Sequence, residues 1–289
     1  METKSDQSEQ IAAGLRKLLN SHGHSFQYAV VRRADTLHSE RRSQWVIDGV
    51  EFPVLTGGQT AHVDFILRSR SGQTYIVGEC KRADPAKANW CFARAPYTRR
   101  NERPKELTFE QFSCNELGLV TRSAVASLSE EGVYHLGFEL KTGETGDGVG
   151  QRSQAINEAV AQVLRGISGL VNHLQSTAPP RPEKTLLIRF IPVVVTTAHL
   201  YVTDADIAES DLRTGNLQPD SVKVKKTDVV WFTHNRSPAM QPDAASATAF
   251  SNFNEFSAAL RNEFARSVAI ISPDGIDEFL SRDLEESLW

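Results

Sequence analysis

Residues 62–81 read His62-Val63-Asp64-Phe65-Ile66-Leu67-Arg68-Ser69-Arg70-Ser71-Gly72-Gln73-Thr74-Tyr75-Ile76-Val77-Gly78-Glu79-Cys80-Lys81. Two apolar runs flank a Ser-Gly turn signal, so strand, turn, strand is the simplest assignment. A loop of Ser71-Gly72, or of the four residues Arg70 to Gln73, gives one and the same register. Residue 70 faces 73, residue 67 faces 76, and Asp64 faces Glu79. Directly opposed residues on one face have Cβ atoms roughly 4.5–5.5 Å apart, and two like charges held there repel. The register therefore calls for a cation between the carboxylates. Side chains alternate with period two along a strand, which turns Lys81 to the same face as Glu79. His62 falls opposite Lys81 and is a candidate phosphate contact.

Hard divalent cations such as Mg²⁺ take oxygen ligands, commonly one or two carboxylates with water and phosphate oxygens. An ammonium beside such a cation orients or helps deprotonate a water and stabilises charge developing on a phosphoryl group. Two carboxylates and a lysine thus suit metal-assisted phosphodiester hydrolysis. The bare pattern, an Asp followed at ten to twenty residues by an acid-x-Lys, arises by chance about once in a chain of this size. The chain carries its own control in Glu139-Leu140-Lys141, which ends a strand-like run, Tyr134 to Phe138, with no Asp at the required distance upstream. Register and setting, rather than the letters, single out the first motif.

With Asp64, Glu79 and Lys81 at its three motif positions, the stretch resembles the signature of the PD-(D/E)XK, or restriction-endonuclease-like, nuclease superfamily. Val63 stands where a proline often precedes the aspartate. The resemblance implies an α/β fold with an αβββαβ core, and Asp64 and Glu79 binding Mg²⁺, with Mn²⁺ able to substitute. It further implies the Cys80 carbonyl as an added ligand and Lys81 positioning the attacking water. A fourth acidic ligand from the first helix would be Glu9, and Gln154 at the start of the second helix is a candidate to reach the site. The implied substrate is DNA rather than RNA, with host defence or repair as the setting by analogy. The alternative is a non-catalytic nucleic-acid-binding or assembly module that keeps the fold.

The remaining sequence supplies elements for such a core. Ser8 to Asn20 places Ile11, Leu15, Leu18 and Leu19 at helical spacing and reads as the first helix. Phe26 to Val31 and Gln44 to Val54 are strand-like, the latter broken by Asp48-Gly49, a hairpin signal. Gln154 to Leu174 carries a long apolar stripe and reads as the second core helix. Leu186 to Val195, nearly all apolar, reads as a central strand buried on both faces. Residues 82–150 form a large insertion after the Glu-x-Lys strand, too long for an ordinary connection. It contains Trp90, Phe92 and the basic series Arg94, Arg99, Arg100, Arg103 and Lys105, so it is a candidate DNA-contacting or lid element together with Arg82. Its Gly143 to Gly150 run reads as a connector. Ala198 to Thr203 and Val229 to Thr233 extend the sheet. The nuclease domain spans 1–235, and 236–289 is a C-terminal helical acidic extension with stripes at Phe250 to Phe264 and Ile276 to Leu288.

The 289 residues, 40% of them hydrophobic, are enough to bury a core. Nothing in the sequence reads as a signal peptide or a membrane span, and the three cysteines, Cys80, Cys91 and Cys114, lack metal spacing, so a cytoplasmic protein with reduced thiols is expected. The net charge of −4 hides a polarity. Residues 62–105 hold ten Lys/Arg against four acids, as binding to a phosphate backbone requires, whereas 243–289 hold nine acids against three Arg. The closing acidic helix, Ile276 to Leu288, either docks on the domain or meets a partner, and the acidic C-terminal helices are the candidate surface for a homodimer or protein partner.

Overall fold

The computed structural model describes residues 4–21, 23–95, 106–115, 118–128, 132–141, 154–177, 186–235 and 265–288. It is a mixed α/β structure. Two helices open the chain, α1 (Lys4–Ser21) and α2 (His24–Ser39). Three antiparallel strands follow, β1 (Val46–Thr56), β2 (Gln59–Arg68) and β3 (Thr74–Lys81). Next come β4 (Asn89–Ala93), the hairpin of β5 (Glu106–Asn115) and β6 (Gly118–Ser127), and β7 (Leu136–Leu140). The long helix α3 (Gln154–Thr177) leads into β8 (Leu186–Thr196) and β9 (His199–Thr203). The described chain closes with β10 (Val224–Thr227), β11 (Val229–Asn235), β12 (Ala265–Ile271), α4 (Ile276–Ser281) and α5 (Leu284–Leu288).

The main sheet runs β1-β2-β3-β8-β12-β11, with β3, β8 and β12 parallel neighbours and the β5–β6 hairpin paired to β8 beside β12. A second sheet runs β10-β9-β4-β7. The alternation along β3 and β8 feeds two cores. Val77, Phe190 and Val194 pack with Val160, Val163, Leu164 and Ile167 of α3. Ile76, Ile191, Val193 and Val195 pack on the opposite face with Val30, Val31, Ala34 and Leu37 of α2 and with Phe279 and Leu280 of α4. Close approach of α3 to the hairpin depends on glycines. A Cβ on Gly169 would lie 2.6 Å from the Val54 Cβ, and one on Gly166 would lie 2.8 Å from a Val63 methyl.

The expected central strand at 186–195, the helix at 154–174 and the strands near 198–203 and 229–233 all form. Three expectations in the first sixty residues change. Phe26 to Val31 is helix, not strand, because its apolar residues belong to a longer pattern, Gln27, Val30, Val31, Ala34 and Leu37, that buries one helical face. The helix packed on the sheet is therefore α2, and α1 lies outside it, exposed from residue 7 to residue 20. Asp48-Gly49 is a bulge inside β1, where the register slips between Ile47 and Gly49 and the Asp48 carboxylate accepts from Arg68 Nε at 2.9 Å. The turn is instead at Gly57-Gly58, both at positive φ (55° and 73°), the pair a tight hairpin needs.

Residues 82–150 contribute strands to both sheets, and a buried ion pair, Arg266 Nε to Glu110 Oε2 at 2.8 Å, joins β5 to β12. The C-terminal extension is likewise part of the core: β12 sits between β8 and β11, and α4 and α5 bury Ile276, Phe279, Leu280, Leu284 and Leu288. Those side chains meet their own sheet, so the closing helix docks on the domain, one of the two placements expected for it. The Phe250 to Phe264 stripe and the Gly143 to Gly150 run lie outside the described residues. No helix among the described residues is long and apolar enough to cross a membrane.

Candidate active site at the end of the third strand

The β2–β3 ladder pairs Phe65 with Gly78, Ile66 with Val77, Leu67 with Ile76 and Arg68 with Tyr75. This is the register read from the sequence, closed by the four-residue loop: Ser69 N–H donates to the Thr74 carbonyl at 2.9 Å, and Gly72 sits at φ 73°. The next pair outward is Asp64 and Glu79. The ladder stops there because the Asp64 side chain takes over, its Oδ2 accepting from the Cys80 backbone N–H at 2.7 Å. Gly78 is required just before this point, since a Cβ on it would overlap the Phe65 ring that crosses it.

Both carboxylates are half-buried and pushed upward. Burial raises Asp64 to about 6 against the lowering hydrogen bond from Cys80, with Glu51 adding repulsion. Burial and then the Asp64 charge raise Glu79 to about 8. Lys81 and, for Glu79, Arg165 of α3 act in the opposite direction. The Cys80 thiol is raised well above its ordinary range by burial, which suits an apolar packing role rather than a nucleophile. In an extended strand the N–H and C=O of one residue project to the same side, so the Cys80 carbonyl lies on the Asp64 edge.

Lys81 Nζ lies 3.7 Å from Glu158 Oε2 of α3, and Glu158 in turn accepts from Gln154 Nε2 at 2.9 Å. Gln154 thus reaches the lysine side of the site through Glu158. Sequence reading missed Glu158, one helical turn beyond Gln154. It also missed Glu51, which falls opposite Asp64 in the register that the Gly57-Gly58 turn sets between Val50↔Phe65 and Phe52↔Val63. Glu51 has a positive φ of 51°, a conformation costing a non-glycine residue on the order of 1 kcal/mol and concentrated at functional sites. Its carboxylate lies 3.7 Å from His24 Nδ1, and the Asp64 carbonyl accepts from Gln27 Nε2 at 3.0 Å. With Asp48-Gly49 as the hairpin signal, nothing in the sequence reading pointed to Glu51.

Other candidates end up elsewhere. His62 pairs with Pro53 of β1 and is exposed, while Lys81 pairs with Thr196 of β8, because β2 leaves β3 once Asp64 has claimed the Cys80 amide. Glu9 stands exposed on α1 and is not among the charges acting on either carboxylate. Arg82 donates to the Asn20 carbonyl at the end of α1. Arg94 lies 3.4 Å from the Asp204 carboxylate and stacks over Tyr134 at 5.3 Å. Arg99 and Arg100 lie outside the described residues. Among the described residues no group of three or more His, Cys, Asp or Glu is drawn together tightly enough to hold a metal by protein ligands alone.

No family model, no curated protein and no solved structure matches this chain.

Proposed function

We propose that the chain is a Mg²⁺-dependent nuclease of restriction-endonuclease-like fold that hydrolyses phosphodiester bonds of DNA, with Mn²⁺ able to replace Mg²⁺. The observation that carries this reading is the Asp64–Glu79 pair, two half-buried carboxylates set against each other at a ladder end and both raised in pKa. Without its second partner such a pair repels; a cation offsets that cost. The donors suit a hard divalent ion: two carboxylates and the Cys80 carbonyl, all oxygen, with water and phosphate oxygens completing the shell as Mg²⁺ prefers. Helix α2, strands β1 to β3, helix α3 and strand β8 also follow one another as α, β, β, β, α, β when the intervening strands are set aside.

The bound cation supplies charge neutralisation and polarisation of the phosphoryl oxygen. Lys81, on the same face as Glu79, orients the attacking water and stabilises the charge that grows on the phosphate. Glu158 holds the ammonium on the α3 side. Asp64 and Glu79 fix the geometry because Asp64 is pinned by the Cys80 amide and Glu79 is carried on a strand paired along its length to β8.

The test is cleavage of plasmid and single-stranded DNA with Mg²⁺ by the wild type beside Glu79→Ala and Lys81→Ala. Cleavage by the wild type alone supports the nuclease. DNA binding that all three share without any cleavage overturns it in favour of a non-catalytic binding module.

A further inference from the structure

Helix α1 is exposed at every residue from 7 to 20. Ile11, Leu15 and Leu19 are 64%, 55% and 44% exposed and recur every fourth residue, forming one apolar stripe. A helix whose residues from 7 to 20 are all exposed is marginal in water, because most helical stability in proteins comes from packing such a stripe. The charges on α1 are polarised as well. Its first half carries Lys4, Asp6 and Glu9 and is net acidic, and its second carries Arg16 and Lys17. Glu9 and Arg16 are seven residues apart, close to two full turns, and so occupy the same flank of the stripe.

We propose that the α1 stripe is a homodimer interface in which α1 of a second copy packs antiparallel about a two-fold axis. In an antiparallel pair the same flank of each helix meets its own counterpart, so Glu9 of each copy comes beside Arg16 of the other, twice by symmetry. The acidic half of one helix then lies along the basic half of its mate. A parallel pair sets acid beside acid and base beside base. Ala12 and Gly14, near the midpoint, carry little or no side chain and permit close approach. The C-terminal helices do not compete for this role, since their apolar residues are already covered by their own sheet. Arg82, next to Lys81, is bonded to the Asn20 carbonyl in the last turn of α1, so the contact ties two copies of the candidate site into one assembly. The interface holds whatever reaction that site performs.

Sedimentation of the full chain across a concentration series tests this. The wild type is expected at twice the 32.0 kDa chain mass. Leu15→Glu is expected to raise the dissociation constant on the order of thirtyfold or more. Glu9→Arg and Arg16→Glu should each weaken the dimer by about threefold, and the double variant E9R/R16E should recover wild-type association. The altered positions are all at the surface, and unchanged near-ultraviolet dichroism confirms that the core is intact. A wild type that stays monomeric throughout overturns the proposal. So does a dimer indifferent to Leu15→Glu, or a double charge variant no better than either single one.

Discussion

Glu79-Cys80-Lys81 and Glu139-Leu140-Lys141 have the same spacing of acid and base at the ends of strands, and their glutamates do different work. Glu139, 7% exposed, accepts from the Ala155 N–H at 2.6 Å and so satisfies one of the amides that the first turn of α3 leaves open. Its negative charge also meets the positive end of the helix dipole. Glu79 is set against Asp64 and raised by burial and then by the Asp64 charge. One carboxylate is stabilised by its surroundings and holds the fold together. The other is held where its charge is costly, and the proposed cation site rests on that contrast.

The largest expected effect separates the two motifs by activity. Glu79→Gln or Lys81→Ala should lower Mg²⁺-dependent cleavage by about a thousandfold or more, whereas Glu139→Gln and Lys141→Ala should leave it within a few-fold of wild type. Steady-state rates on plasmid DNA decide this, and equal losses at both motifs would erase the distinction.

Stability should move the other way. Without metal, Glu79→Gln relieves a repelled charge and is expected to stabilise the fold by on the order of 1–2 kcal/mol. Glu139→Ala removes a helix-capping acceptor and should cost about 1–2 kcal/mol. Urea unfolding in EDTA reads both signs. Gly78→Ala, which forces the Phe65 ring aside, should destabilise by about 3 kcal/mol and blur the register on which the site depends.

The pH dependence sharpens the same contrast. Asp64 and Glu79 bind their protons more tightly folded than unfolded, so the metal-free fold is favoured at low pH and loses stability as pH rises through about 6 and on through about 8. Melting temperatures in EDTA should fall across that window, and Mg²⁺ should raise them most at its upper end. A metal-free melting temperature that rises from pH 5 to pH 8 would contradict the repelled pair. The smallest effect is expected for Glu158→Gln, which removes a partly exposed partner of Lys81 and should change cleavage only about two- to fivefold.

Much of the site was legible in the sequence because its determinants are local. The Ser71-Gly72 region fixed the turn, period-two alternation fixed the faces, and together they put Asp64 beside Glu79 with Lys81 on the Glu79 face. The same logic would have placed Glu51 opposite Asp64 had Gly57-Gly58 been taken as the turn. The His62–Lys81 pairing does not form, for a local reason that no pattern announces: a side chain, Asp64, replaces the backbone in the ladder and ends it early.

What the amino-acid order determined by itself is the β2–β3 hairpin, its register, the long amphipathic helix α3 and the buried strand β8, since turn chemistry and apolar periodicity act between residues close in the chain. Tertiary structure alone decided that α2 rather than α1 lies on the sheet, that β12 enters between β8 and β11, and that α4 and α5 are spent on the protein's own core. It also decided that Glu139 caps a helix while Glu79 faces a like charge. These outcomes depend on which distant segments share a surface. Burial and charge at those contacts cannot be summed from one segment's residues, because the partner supplies half of each.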